Sequence, residues 1–147
     1  IIPGNAEFSM DVRAQSNAAM NELIAKVEHA IRSVAALNNI KIDFQIDTEI
    51  AAAEVDDSAV ELMKVAIIDT IGQHYYVPPI VTPGGEDFHF YTLKRPSIKA
   101  TMLGLGCDLT PGLHHPTMTF NQESMLIGIE ILARTIIGTF QKKEYLT

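Results

Sequence analysis

A chain of 147 residues, 47% of them hydrophobic, has material for one modest core or two small ones. Its formal charge is −7 and its basic residues are scattered, so no basic stripe exists to neutralise phosphates and a nucleic-acid partner is excluded. The single cysteine, Cys107, allows no internal disulfide and fits a reducing, cytoplasmic compartment, while Asp69, Glu130 and Arg134 interrupt the longest apolar stretches, so no membrane partner is expected.

The first residues, Ile1-Ile2-Pro3-Gly4, show neither an initiator methionine nor a signal peptide, and the expectation is that the chain begins inside something longer. Ala6, Phe8, Met10 and Val12 then alternate with Glu7, Ser9, Asp11 and Arg13, a period of two that predicts a half-buried strand. Asn17 is the expected cap of the next helix. Along it Met20, Leu23, Ile24, Val27, Ile31, Val34 and Leu37 recur at steps of three and four, and Asn38-Asn39 ends it. Ile40, Ile42, Phe44 and Ile46 alternate with polar residues and predict a second strand. One helix over two strands buries too little to stand alone, so this unit reads as half of a two-layer sandwich.

Residues 48–57 read as a connection. Ser58-Ala59-Val60-Glu61 has the form of a capping box, opening a helix through Met63 and Ile67 that stops at Gly72. Pro78, Pro79 and Pro83 keep the next stretch extended, and Gly84-Gly85-Glu86-Asp87 opens a short helix through Tyr91. Lys99–Leu105 is a candidate buried strand, Gly106–Thr119 an irregular loop, and Gln122 to about Phe140 a long apolar helix.

Chemistry could sit at three places. Leu113-His114-His115-Pro116 lies in a glycine- and proline-rich loop that can present one imidazole to a metal, although such loop histidines are also commonly solvated. Neighbouring side chains diverge, so at most one of the pair is a ligand. The amides of Gly84 and Gly85 at a helix start suit an anion, and plain helix capping accounts for the same residues. Arg13 ends a strand and could read a carboxylate, or be solvated. No nucleophile elbow, P-loop, dinucleotide fingerprint or His-Glu-x-x-His pair is present.

Taken in order, several segments resemble one family. Ile1-Ile2-Pro3-Gly4 with Ala6-Glu7-Phe8 and Asp11-Val12-Arg13 is similar to the second half of a lid, or dimerisation, domain. Thr82-Pro83-Gly84-Gly85-Glu86-Asp87-Phe88 and Leu113-His114-His115-Pro116, with Phe120, Glu123 and Gly128 behind, complete the pattern. The family is that of zinc-dependent amidohydrolases and metallopeptidases, which includes aminoacylases, hippurate hydrolases and aminobenzoyl-glutamate hydrolases.

The resemblance implies an α/β (α+β) fold: residues 1–50 as half of a ferredoxin-like lid sandwich, and residues 51–147 as the C-terminal α/β part of a zinc-aminopeptidase-like catalytic domain. It implies hydrolysis of N-acyl amino acids or small peptides by water activated on one or two divalent ions, zinc or else cobalt or manganese. His114 maps to the metal ligand, and Arg13, Gly84 and Gly85 to substrate binding. Glu86, Asp87 and His115 map to positions that support these groups. A homodimer through the lid is implied, in which Arg13 and His114 need not share one site. The remaining ligands and the catalytic glutamate of the family map N-terminal to Ile1, so no catalytic residue is assigned here and the chain alone is expected to be inactive. The competing reading is a non-catalytic module that dimerises or binds small acids.

Overall fold

The computed structural model describes residues 3–82 and 84–144, with side chains through Gln141. Ile1, Ile2 and Pro83, which carry part of the resemblance, lie outside the described residues. The chain folds as two compact units, Ile1–Glu54 with Thr82–Arg95, and Val55–Val81 with Pro96–Thr147.

In the first unit, α1 runs over Asn17–Leu37. Its cap is Ser16, one residue earlier than the sequence suggests: the Ser16 hydroxyl accepts the Ala19 N–H at 3.1 Å. Asn17 is instead the first helical residue and ties the helix to a later segment. Its backbone N–H donates to Glu54 Oε1 at 3.2 Å, and its Oδ1 accepts the Ala52 N–H at 2.8 Å. The helix ends because Asn39 takes a left-handed φ of 54°. The Ile40 N–H then reaches back to Ala35 C=O at 2.9 Å and the Asn39 N–H to Ala36 C=O at 3.2 Å, the paired bonds of a Schellman close. Glu22–Lys26 and Glu28–Arg32 pair along the exposed face, worth a few tenths of a kcal/mol each.

In the second unit, α2 (Asp57–Ile71) packs against α4 (Ser124–Glu144). Met63 and Ala66 meet the fully buried Ile131, with Ile67 and Leu103 at the margin of this core. The cap of α2 is Asp56, not Ser58: its carboxylate accepts the Ser58 N–H at 2.9 Å, the Ala59 N–H at 3.1 Å and the Ser58 hydroxyl. Gly72 closes the helix at φ 89°, as its composition foretold. The segment after Pro96 passes the start of α2, where the Asp56 N–H donates to Ala100 C=O at 3.0 Å. It also passes α4, where a Cβ on Gly128 would stand 2.9 Å from Leu105 Cδ2, so only glycine fits there without a shift of the leucine. By length and composition alone α4 could cross a membrane. The Glu130–Arg134 ion pair midway along it and the burial of Ile131 on α2 mark it as a helix with one protein-facing side.

The α/β expectation is overturned. No strand forms among the described residues, so neither the half ferredoxin-like sandwich nor an α/β C-terminal part is present, and the architecture is helical. Residues 6–13, 40–47 and 99–105 keep non-helical backbone but join no ladder. Period-two alternation reports an extended chain with two unlike faces, whereas a strand also needs a neighbour to bond its N–H and C=O groups. Without that neighbour the apolar face stays open, and Phe8, Met10, Ile40 and Ile46 are exposed. The one sheet-like pairing among the described residues is an isolated antiparallel bridge between Thr110 and Thr119.

Candidate functional site

In the second unit, that bridge is the neck of the histidine loop. Thr110 and Thr119 exchange both backbone bonds, at 3.0 and 2.8 Å. Asn121 adds a second tie: its N–H donates to Cys107 C=O at 2.8 Å while its Oδ1 accepts the Glu123 N–H at 3.0 Å, fastening the loop to the start of α4. Two consecutive turns fill the loop. The first closes from His115 N–H to Gly112 C=O at 3.3 Å and the second from Met118 N–H to His115 C=O at 3.0 Å. His114 occupies the third position of the first turn with φ 64°, where glycine or asparagine is usual. Holding a histidine there costs about 1–2 kcal/mol, which the surrounding bonds must offset.

The two histidines are treated differently. His115 Nδ1 accepts the Thr117 N–H at 3.2 Å and lies 3.0 Å from Thr117 Oγ1. The exposed His114 ring makes no hydrogen bond among the described residues. The loop therefore offers one unengaged imidazole and keeps the other occupied. Sequence reasoning missed Thr110, Thr117, Thr119 and Asn121. The signal available was the Pro116-Thr117 turn, whose threonine lies two residues beyond a histidine.

In the first unit, Arg13 is gripped by Asp11. Its Nη2 and Nε lie 2.8 and 3.1 Å from Asp11 Oδ2, and Nε also lies 3.3 Å from Oδ1. The Arg13 hydrogen bond, helped by its charge, holds the Asp11 carboxyl below the usual carboxylate range, and Asp11 in turn raises the guanidinium pKa.

Gly85 packs against Ile50, and a Cβ there would stand 2.6 Å from Ile50 Cγ2. Close approach to a stiff β-branched side chain is thus one reason for glycine at this position. Glu86 and Asp87 are exposed, and their carbonyls receive the His89 and Phe90 N–H groups at the start of a three-residue 3₁₀ turn that leads into α3 (Phe90–Lys94). His89 itself is buried, edge-on to Phe88. The candidate site residues therefore fall into two groups: Arg13, Gly84, Gly85, Glu86 and Asp87 in the first unit, His114 and His115 in the second.

No cluster of three or more His, Cys, Asp or Glu side chains able to hold a metal occurs among the described residues. A catalytic zinc takes three protein ligands. Among the described residues, then, no set of side chains makes such a site by itself.

The chain thus presents one unengaged histidine on a closed loop and, among the described residues, no cluster that could hold a metal. It belongs to peptidase family M20/M25/M40, whose model matches residues 3–138. It is 28% identical over 142 residues to a Haemophilus influenzae protein named as the homolog of a p-aminobenzoyl-glutamate hydrolase subunit, covering 89% of this chain and 31% of that one. Against the N-acetyldiaminopimelate deacetylase of Exiguobacterium sibiricum it is 27% identical over 133 residues, covering 90% of this chain and 34% of the relative. The chain spans about a third of the length of these curated relatives. No solved structure matches it.

Proposed function

We propose that this chain supplies part of a metal-dependent amidohydrolase that cleaves the amide bond of N-acyl amino acids or small peptides. His114 donates one ligand to a divalent ion, zinc by preference. A bound ion of that kind polarises the amide and activates water. Arg13, shared with Asp11, pairs with the free carboxylate of a substrate through its planar fork, at a site that need not be the one His114 serves. Gly84 and Gly85 shape the backbone beside the substrate, and Glu86 and Asp87 support it. The remaining ligands lie outside these 147 residues, so the chain alone does not turn substrate over. The observation that carries the reading is the unengaged His114 ring, held at positive φ on a doubly tied loop, in a chain of this family.

The test is hydrolysis of an N-acyl amino acid with added zinc or cobalt. The 147-residue chain is assayed alone, and then mixed with the N-terminal region of a curated relative. The expected outcome is no turnover alone and metal-dependent turnover in the mixture, lost in His114→Ala. Turnover by the chain alone that tracks added metal would sink the claim that its site is incomplete. Complemented turnover indifferent to His114→Ala would sink the ligand assignment.

A second reading, a homodimerising or small-acid-binding module, is favoured by the exposed apolar residues of the first unit, among them Phe8, Met10, Leu37 and Ile40. A homodimer formed through this unit is compatible with the enzyme reading as well.

A further inference from the structure

We propose that His115 is the positioning residue of the His114 loop, clipping it through Thr117 so that His114 stays left-handed with its ring unengaged. This rests on the reading of His114 as a ligand and deepens it. A backbone N–H can only donate, so the 3.2 Å bond from Thr117 N–H makes His115 Nδ1 the lone-pair nitrogen. The proton of the neutral ring is then on Nε2, and the Thr117 hydroxyl at 3.0 Å donates to Nδ1 as well.

His115 also joins both turns. Its N–H closes the turn that contains His114, and its C=O opens the turn that contains Pro116 and Thr117. Side chain and main chain of one residue thus fix the peptide that follows His114. A non-glycine residue leaves positive φ unless its surroundings over-determine it, and here His115 does so from the C-terminal side. Its Nδ1 is meanwhile withdrawn from any metal. The adjacent histidines divide the work: one presents, the other holds.

The test is nitrogen NMR of the imidazoles in the 147-residue chain, with amide hydrogen exchange on three variants. His115 is expected as the Nε2–H tautomer. In His115→Ala the Thr117 amide, which loses its acceptor, and the amides of residue 115 and Met118 exchange faster by about fivefold, the factor corresponding to one ordinary hydrogen bond. His115→Asn restores their protection, because an asparagine oxygen can accept the same N–H two residues on. Thr117→Val, which keeps the backbone donor, preserves the tautomer. In the complemented enzyme, zinc affinity falls at least about tenfold in His115→Ala and recovers in His115→Asn. An Nδ1–H tautomer, unchanged exchange in His115→Ala, or equal zinc affinity in the two His115 variants would overturn the proposal. If instead the complemented enzyme shows no metal-dependent turnover, the functional reading fails while the tautomer and exchange results stand or fall on their own.

Discussion

Asp56 shows how one side chain can set the local register of a helix. Ser58 resembles the first residue of a capping box, yet Asp56 takes the capping position and bonds Ser58 as well as Ala59. The Ser58 hydroxyl, with the Ala59 N–H, the Lys99 charge and the Ser58 N–H behind it, holds the Asp56 carboxyl below the ordinary carboxylate range despite partial desolvation. A folded-state pKa below the unfolded value means that the ionised form is the stabilising one. The contribution is therefore complete above the unfolded carboxylate value, about 3.9, and is lost as pH falls through the lower folded value. Asp56→Asn keeps an oxygen acceptor but cannot titrate. Thermal unfolding followed by circular dichroism should show a smaller loss of stability between pH 7 and acid in this variant than in the parent. Equal losses would show that the cap is not a linkage site.

At the level of elements, the helices draw stability from different sources. Within α1 only Ala35 is buried, so that helix leans on its Ser16 cap, its Schellman close and its surface ion pairs. For α2 and α4 the Met63–Ala66–Ile131 contact is the main source. Ile131 is 1% exposed, and cutting it to alanine removes buried methyl groups and leaves space that two helices can only partly close. Ile131→Ala is expected to destabilise the second unit by about 2–4 kcal/mol in urea unfolding. Leu126→Ala, at a side chain 71% exposed on the same helix, should stay within about 0.5 kcal/mol of the parent. Similar costs for the two would mean that the exposed side of α4 is covered in solution.

For the whole chain, the balance of buried and open apolar surface matters most. Ala35, Ala51, Met63, Ala66 and Ile131 are the buried hydrophobic residues among those described, while Leu37, Ile80, Val81, Leu126 and Phe140 are among many large ones left open. Exposed apolar surface of this extent marks association sites or aggregation liabilities. The net charge of −7 opposes association, and salt screens that opposition. Light scattering across a concentration series should therefore give a mass that rises above 16.2 kDa, more steeply in added salt. A constant monomer mass at every concentration and salt level would contradict both this expectation and the proposed homodimer.

The sequence alone determined where the helices lie and which family the chain joins. A period of 3.6 and a stop at Gly72 are local properties, and spaced motifs such as Leu113-His114-His115-Pro116 survive whatever surrounds them. His114 stood out for the same reason. Strand formation was not legible: alternation at residues 6–13 and 40–47 specifies faces, but a ladder is made with a second segment whose presence no local pattern can report. Nor could spacing show that Gly85 makes room for Ile50, that Asp56 outranks Ser58 as a cap, or that Thr117 occupies His115 and leaves His114 open. Each of these depends on which atoms meet across a turn or between segments, so only the tertiary structure could decide them.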